Sequence, residues 1–308
     1  MQLKTNLKWK QNGETVAGGN GKGDKLNQLK YPYGIYVDYE EKCIYIADAG
    51  KDRIVKWKLD DGSNNGQIVT GGNGQGNRID QLDGPTDVIL DEKKKSLIIC
   101  DFGNRRVVRW SLQNPNDKEI LIENILCGGL MMNENGDLFV SDQKNHAVKR
   151  WRKGEIGSGG EGRIVAGGNG CGDKLNQLNS PSYIFIDREE SVYVSDNGNH
   201  RVMKWLKGAN EGIVVAGGQG RGNSLNQLNH PQGLLVNEVG DIYVSDSENH
   251  RIMCWPLGSK EGRVVVGGNG AGQGSNQLNY PISLLFDVEN NLYVADYNNN
   301  RIQRFRVA

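Results

Sequence analysis

Short runs of apolar residues, separated by glycine and small polar residues, follow one another along the whole chain. Each run holds four to six residues rich in Val, Ile, Leu, Tyr or Trp, which is the length and composition of a β-strand. No window carries apolar residues at the i, i+3, i+4, i+7 spacing over a length that would predict a helix. In the fifth of the units described below, the runs predict strands at Gly233–Val236, Asp241–Ser245, Arg251–Trp255 and Arg263–Val266.

This strand pattern recurs six times. A small residue followed by Asp closes the second predicted strand of each unit, and a large aromatic residue stands nine positions later. Successive aspartates are 53, 41, 54, 50 and 50 residues apart, a period typical of solenoids and propellers. Six four-stranded antiparallel sheets that bury both faces against their neighbours close most economically into a ring, so we predict an all-β, six-bladed β-propeller. The six aspartates are Asp48, Asp101, Asp142, Asp196, Asp246 and Asp296.

The sixth unit has only three predicted strands, at about residues 281–306. Residues 14–17 and the two glycines after them match the fourth-strand pattern of the other units. We therefore expect this N-terminal strand to complete the last blade, which removes two open sheet edges, and residues 1–308 to form one propeller domain. Residues 4–10, which include Trp9, suit either an extra outer strand or a segment that resembles a third strand.

The Asn-His-Arg triplets at residues 199–201 and 249–251 resemble the signature of the NHL repeat. Degenerate triplets follow the other aspartates, and Leu-Asn-Gln-Leu-x-x-Pro segments extend the resemblance over nearly the whole chain. Kelch propellers also carry Gly-Gly doublets, but their aromatic residues follow a different order, so kelch ranks second. The NHL resemblance implies several functions: protein-interaction scaffolds, RNA-binding propellers, bacterial receptor-kinase sensors and a lyase that completes peptide amidation.

One face of such a propeller gathers the loops between blades and the loops between second and third strands. This rim is rich in Asn, Gln, Gly, His and Arg, and binding residues tend to lie on loops carried by a rigid scaffold. We expect a non-catalytic binding scaffold whose Asn and Gln amides and Arg side chains recognise a ligand there. The residues expected to contact it are Tyr33, Asp87, Arg105, Arg106, Lys144, His146, Tyr183, His200, His230, Gln232 and His250.

The repeated Asp, Arg and Gly residues have a structural explanation. Aspartate side chains commonly accept backbone N–H bonds in tight turns, so we expect the six aspartates to hold the turn after the second strand. The arginine that follows five of them would pair with carboxylates between blades. No helix is predicted after the Gly-Gly-Asn-Gly segments, which favours loop architecture over a phosphate-binding site.

A catalytic centre in the central channel is an alternative function. Ca²⁺ takes six to eight oxygen ligands, and Asp87 with Gln232 supplies few of them. A zinc lyase needs several histidines in the channel, whereas only His230 departs from the repeat pattern. We therefore expect no catalytic residue, no metal and no cofactor, with a metal-dependent hydrolase or lyase as the alternative.

The third unit is irregular because it lacks the Gly-Gly-Asn-Gly loop, and residues 125–129 replace the proline that leads into other units. This predicts a notch in the rim beside Arg105, Arg106, Lys144, His146 and Lys149. Such a basic cluster suits single-stranded RNA or an acidic peptide. A solvated charged surface is the simpler interpretation.

Composition sets the remaining limits. The 37 basic and 37 acidic residues cancel, so the chain has no overall attraction to nucleic acid or to anionic membranes. No apolar run approaches the roughly 18–20 residues that cross a bilayer, and the first residues do not resemble a signal peptide. Five scattered cysteines without a C-x-x-C pair are expected as free, buried thiols. We expect a monomer that binds a protein or peptide, or else RNA. The sequence does not assign a cellular compartment. It is also compatible with a domain taken from a longer protein.

Overall fold

The computed structural model describes residues 7–60, 62, 64–93 and 95–308. Within these residues, twenty-four strands form six four-stranded antiparallel sheets. The first strand of each sheet contacts the first strands of both neighbouring sheets, including the last with the first, so the sheets close into a ring. The predicted six-bladed β-propeller is therefore confirmed.

Each blade places its first strand innermost and its fourth strand outermost. Blades 1 to 3 hold β2–β5, β6–β9 and β10–β13, blades 4 and 5 hold β14–β17 and β18–β21, and blade 6 holds β22–β24 with β1. The strands of the first half are β1 (Glu14–Gly18), β2 (Pro32–Asp38), β3 (Cys43–Asp48), β4 (Arg53–Lys58), β5 (Gln67–Gly71), β6 (Pro85–Asp91), β7 (Ser96–Asp101), β8 (Arg106–Ser111), β9 (Lys118–Glu123), β10 (Cys127–Met132), β11 (Leu138–Asp142) and β12 (Ala147–Trp151). Those of the second half are β13 (Arg163–Gly167), β14 (Pro181–Ile186), β15 (Val192–Asp196), β16 (Arg201–Trp205), β17 (Ile213–Gly217), β18 (Pro231–Val236), β19 (Ile242–Asp246), β20 (Arg251–Trp255), β21 (Arg263–Gly267), β22 (Pro281–Phe286), β23 (Leu292–Asp296) and β24 (Arg301–Phe305).

Four short 3₁₀ turns connect second to third strands in the described part of the chain. They lie in blades 1, 4, 5 and 6, and each ends on a residue in the left-handed backbone region. No helix of the described residues has the length and apolar composition needed to cross a bilayer. The four turns are Ala49–Lys51, Asn197–Asn199, Ser247–Asn249 and Tyr297–Asn299.

The ring is closed by β1, as predicted. It pairs antiparallel with β24, with Glu14 opposite Arg304 and Gly18 opposite Arg301. The Arg304 guanidinium reinforces this seam by donating to Glu14 at 2.9 Å and to Asp60 of blade 1 at 2.7 Å. β1 thereby covers the edge that β24 would otherwise expose and becomes the outermost strand of blade 6.

Trp9 lies next to the seam but not in an outer strand. It forms one isolated bridge with Val307, stacks on Phe286 at 5.4 Å between ring centroids, and is 4% exposed. Its indole N–H donates to the Asn290 carbonyl at 2.8 Å. Residues 7–10 therefore cover the junction of blades 5 and 6, while residues 4–6 of the proposed outer strand lie outside the described residues.

The core lies between blades, because both faces of every sheet are covered. The aromatic residue nine positions after each aspartate, such as Trp205 or Trp255, is almost fully buried at the end of a third strand. A glycine before the fourth strand makes room for its ring: a Cβ at Gly212 would lie 2.8 Å from the Trp205 ring. This contact explains why an aromatic residue and a glycine recur together in the repeats.

The expectation of free thiols is wrong for one cysteine pair. Cys100 at the end of β7 and Cys127 at the start of β10 form a disulfide, with their Cα atoms 5.5 Å apart. Cys127 pairs with Asp142 in the same register in which the first-strand proline of blade 1 pairs with Asp48, so loss of the proline lead-in places a thiol against blade 2. Cys43 and Cys254 are free and buried, and Cys171 is free and exposed.

Candidate functional site

The repeated aspartates and arginines hold the loops that connect blades. In blade 4, Asp196 accepts the Asn179 N–H at 2.7 Å on one oxygen, and Arg201 Nε at 2.7 Å and Asn199 Nδ2 at 2.8 Å on the other. The remaining Arg201 donors bind carbonyls of the lead-in loop, which we define as the segment between β13 and β14 and its equivalents. These carbonyls belong to Asp173, Lys174 and Gln177.

This arrangement, which we call the Asp–Arg socket, recurs in five blades. The Arg Nε to Asp distance is 2.6–2.7 Å in each. Two details of the sequence interpretation are corrected here. In these five blades the backbone N–H bound by the aspartate comes from the lead-in loop rather than from the tight turn, and the arginine pairs within its own blade rather than between blades. In blade 3, Asp142 accepts the Asn145 N–H of the tight turn at 3.2 Å, as predicted. The pairs are Asp48–Arg53, Asp101–Arg106, Asp196–Arg201, Asp246–Arg251 and Asp296–Arg301.

The sockets remove the arginines from the binding surface. Arg106, expected on the rim, is 6% exposed and donates to Asp101 and to three loop carbonyls. Burial raises the pKa of Asp196, against the opposing hydrogen bonds from Asn199, from the Asn179 N–H and from Arg201. A buried and fully engaged guanidinium fixes a loop in place, and we assign Arg106 no ligand.

The Asn and Gln amides of the lead-in loops are also engaged. In the loop before blade 4, Asn169 Nδ2 donates to the Asn176 carbonyl at 2.9 Å, and Gln177 Nε2 donates to the Asn169 carbonyl at 2.9 Å. The same pair of bonds recurs in the loops before blades 1 and 6. These bonds shape the loop itself, and recognition of a ligand by the amides stays a prediction.

Three of the histidines join one blade to the next. His146, His200 and His250 have φ between 50° and 55°, and each Nδ1 accepts a backbone N–H at 3.1–3.2 Å. The donor is always the residue before the first-strand proline of the following blade. Asp52 and Asn300 accept the equivalent N–H through a side-chain oxygen at 2.9 and 3.0 Å.

His230 lies against one of these histidines. Its ring meets His200 edge-on at 4.6 Å between centroids, and its Nδ1 is 3.0 Å from the Asn197 side-chain oxygen. Burial and the nearby His230 lower the pKa of His200. In the described part of the chain, no group of three or more His, Cys, Asp or Glu side chains is arranged to hold a metal.

The channel entrance is crossed by two tyrosines from distant blades. Tyr33 of blade 1 and Tyr183 of blade 4 lie 6.3 Å apart in a stacked arrangement, and the Tyr183 hydroxyl donates to the Thr86 carbonyl at 3.2 Å. Burial raises the pKa of both phenols, and the Asp87 carboxylate adds to the shift. The sequence placed these residues at the entrance, and the structure brings them together there.

Asp87 is a buried carboxyl between blades 2 and 3. It is 4% exposed, and its two oxygens accept the Val88 N–H at 3.0 Å and the Leu130 N–H at 2.8 Å. Burial raises its pKa to about 7, against these two bonds. A Cβ at Gly34 would lie 2.4 Å from Asp87 Oδ1, which explains the glycine there. Gln232, also buried, has an Oε1 atom without a hydrogen-bond partner among the described residues.

A cluster of tyrosines on the rim was not predicted. Tyr297 stacks on Tyr31 at 4.9 Å and contacts Tyr33 and Tyr280, both at 5.9 Å between ring centroids. These four rings are half-buried, and with Tyr183 they define what we call the tyrosine cluster. The sequence feature that could have indicated this cluster is that Tyr31 and Tyr280 both precede a first-strand proline. Their blades become neighbours when the ring closes.

A lysine extends the tyrosine cluster at its outer side. Lys22 Nζ donates to the Tyr31 hydroxyl at 2.7 Å and lies 4.3 Å from the centre of that ring. The hydrogen bond and the positive charge lower the pKa of Tyr31. The cluster therefore combines flat apolar faces with an exposed cation and several hydroxyl groups.

The predicted basic cluster at the notch is largely neutralised. Arg106 pairs with Asp101, and Lys149 Nζ lies 3.2 Å from a carboxylate oxygen of Asp142. Arg105 and Lys144 are exposed, and His146 accepts a backbone N–H as described. Of the five residues of the predicted cluster, Arg105 and Lys144 are therefore the exposed cations without an ion pair described here.

The fold is that of a six-bladed β-propeller, with an Asp–Arg socket in five of its blades. The family model for the NHL repeat matches residues 228–255 and 278–305, which lie in blades 5 and 6. The protein thus carries NHL repeats at two positions of its ring. No curated protein shows a significant match to the sequence.

Several solved structures share the fold. A protein of unknown function from Bacteroides thetaiotaomicron superposes with a TM-score of 0.73 at 17% identity, over 96% of this chain and 76% of that one. An auxiliary nutrient binding protein from the same organism gives 0.72 at 16% identity, over 95% and 75% of the two chains. A gluconolactonase from Xanthomonas campestris gives 0.66 at 12% identity, over 96% and 98%. At these identities the likeness establishes the propeller fold alone.

Proposed function

We propose that the protein is a non-catalytic binding module that recognises a protein or peptide segment on its rim, at the tyrosine cluster. The observation that carries this proposal is the contact of Tyr31, Tyr33, Tyr280 and Tyr297 around the channel entrance. Tyrosines offer large, rigid contact area with a polar tip, at little cost in side-chain entropy. Lys22 beside Tyr31 adds a cation that suits an acidic residue or a carbonyl of the ligand.

Two further observations support binding over catalysis. The polar groups of the sockets and loops are engaged with one another, so the rim is a rigid frame around the tyrosines. Asp87, between blades 2 and 3, is 4% exposed and accepts two backbone N–H groups. Proteins with this fold include a nutrient binding protein and a gluconolactonase, so the fold itself is compatible with either activity.

The test is selection of peptides on the immobilised protein, followed by calorimetric titration of the selected sequences. We expect Tyr297→Ala to weaken their binding by about tenfold or more, because its ring contacts three others at the centre of the cluster. Val288→Ala, an exposed apolar residue on the opposite face, is the matched control and should leave the dissociation constant unchanged.

Two outcomes would contradict the proposal. Selected peptides that bind Tyr297→Ala as tightly as the parent would place the ligand elsewhere. Turnover of a lactone or other small substrate that is lost in Asp87→Asn would instead identify a catalytic channel.

A further inference from the structure

A groove of about 820 Å³ separates the outer parts of blades 2 and 3. One wall is formed by β9 and the short link that follows it, and the other by β12, β13 and the connection between them. We call it the blade 2–3 groove. Residues that line it include Ile120, Ile125, Asn145, Lys149, Trp151 and Ile164.

Elsewhere in the ring, a lead-in loop fills the equivalent position. Before blade 4, the Leu175 carbonyl of this loop accepts the Gly212 N–H at 2.8 Å, and the Gly172 carbonyl accepts Asn199 Nδ2 at 2.8 Å. The first of these bonds recurs in blades 1, 5 and 6, and the second in blades 2, 5 and 6. Before blade 3, only residues 124–126 connect β9 to β10, so the loop is missing.

The groups that bind this loop are partly retained in blade 3. Gly162 corresponds to Gly212, and no acceptor among the described residues lies within hydrogen-bond distance of its N–H. Asn145 corresponds to Asn199, and among the described residues its amide nitrogen donates to Asp142 alone, at 2.6 Å. One N–H of that amide is therefore left for another acceptor, as is the Gly162 N–H.

In blade 3 the aspartate is paired with a lysine at a different position of the third strand instead of with the socket arginine. Ala147 stands where the other blades have the socket arginine, opposite the aspartate. Lys149 stands where blade 4 has the buried Met203, since Lys149 pairs with Ile164 as Met203 pairs with Val214. Its ammonium reaches the fully buried Asp142 at 3.2 Å, while its side chain is 19% exposed and borders the groove.

We propose that the blade 2–3 groove binds a turn of a partner protein that imitates a lead-in loop. Backbone carbonyls of that turn accept from the Gly162 N–H, the Asn145 amide and the Lys149 ammonium. Ile164, which is 48% exposed and opposes Lys149 on the same face of blade 3, borders the bound turn. Five lead-in loops, each of which forms at least one of the two bonds described above, provide the pattern for this partner. The groove is separate from the tyrosine cluster.

The probe is a synthetic peptide with the sequence of residues 217–231, the lead-in loop before blade 5, which contains no cysteine. It is used in linear and head-to-tail cyclised forms, because cyclisation lowers the entropy cost of ordering the turn. Titrated into the full chain, it should bind saturably and shift the Gly162 amide resonance. A scrambled peptide of the same composition should do neither.

Matched variants locate the binding. Ile164→Glu places a carboxylate on the wall of the groove, next to the carbonyls of the bound turn. We expect the affinity for the peptide to fall by about tenfold or more. Val214→Glu makes the same change at the equivalent, similarly exposed position of blade 4, where the loop is present, and should leave affinity unchanged. Circular dichroism of both variants checks that the fold is retained.

The proposal is overturned if neither peptide form binds at concentrations up to about 1 mM. It is also overturned if the scrambled peptide binds equally well, or if Ile164→Glu binds as tightly as the parent. Each of these results leaves the tyrosine cluster untested, because the Tyr297 and Ile164 variants probe different surfaces.

Discussion

His146, His200 and His250 occupy a backbone conformation that residues other than glycine adopt rarely. Asp52 and Asn300 adopt it at the equivalent positions, and all five side chains accept an N–H from the next blade. The shared property of His, Asp and Asn is a short side chain with an acceptor atom that can reach this N–H. The histidine of the repeat signature therefore serves blade-to-blade bonding, for which it must keep Nδ1 unprotonated.

We expect His200→Asn to be nearly neutral and His200→Ala to be destabilising. Asparagine keeps the acceptor, as Asn300 does, whereas alanine leaves the His230 N–H without one, at a cost of about 1–2 kcal/mol. Urea unfolding at pH 8 measures both free energies of unfolding. A variant pair with equal stability would contradict the role assigned to the acceptor.

The parent protein and His200→Asn should also differ in how their free energies of unfolding depend on pH. Because the pKa of His200 is lower in the folded protein than the ordinary value of 6.5, the folded state binds fewer protons than the unfolded state in that range. Its stabilising contribution is complete above about pH 6.5 and is lost as the pH falls toward the folded pKa. We expect the parent to lose more stability than His200→Asn between pH 8 and pH 5. Equal losses would show that other groups control the acid transition.

At the scale of strands and loops, the Asp–Arg socket ties each lead-in loop to the blade that follows it. Arg201 alone joins Asp196 to three carbonyls of one loop. The loop therefore has a fixed shape without regular secondary structure of its own. Its shape depends on the buried Arg201 together with the bonds of Asn169 and Gln177, rather than on a packed helix or strand.

We expect Arg201→Ala to destabilise the protein by about 3–5 kcal/mol, because it leaves the buried Asp196 carboxylate without its cation. Amide hydrogen exchange should show lost protection in residues 168–180 before any other part of blade 4. Arg105→Ala removes an exposed arginine and is the control, with no expected change. Unchanged protection in the lead-in loop of Arg201→Ala would refute the assigned role.

The sequence predicts the elements well because Pro, Gly and Asp mark strand ends locally. In blade 5 the first strand begins at Pro231 instead of Gly233 and the second ends at Asp246 instead of Ser245. The hydrogen-bond partners of the socket arginines and of the Asn and Gln amides are harder to predict, because they are carbonyls of a loop that folds back on itself. The tyrosine cluster joins Tyr31 to Tyr297 across the ring closure, and no local pattern reports such a contact.

At the scale of the whole molecule, the ring has one junction of different construction. Between blades 2 and 3 the lead-in loop is replaced by a three-residue link and by the disulfide between Cys100 and Cys127. A covalent bond between the inner ends of two blades compensates for contacts that a loop supplies elsewhere. The same substitution opens the groove at the outer ends.

We expect three free thiols instead of five when the denatured, unreduced protein is titrated with a thiol reagent. Reduction should lower the free energy of unfolding by about 3 kcal/mol, since the bond links residues 27 positions apart. A Cys127→Ala variant should be insensitive to reductant, whereas Cys171→Ala should behave as the parent. Five titratable thiols would show that the bond does not form.

The closure of blade 6 also determines how the molecule responds to tension. Because β1 and β24 run antiparallel, with Glu14 beside Arg304, the chain enters and leaves the ring at neighbouring points. A force that pulls these points apart loads the hydrogen bonds one after another, as a zipper does, instead of shearing them together. The bonds of residues 8–10 with residues 306–308 are loaded first, and the clamp of Arg304 on Glu14 and Asp60 follows. We therefore expect this seam to open while blades 2 and 3, which the disulfide links on the far side of the ring, keep their shape.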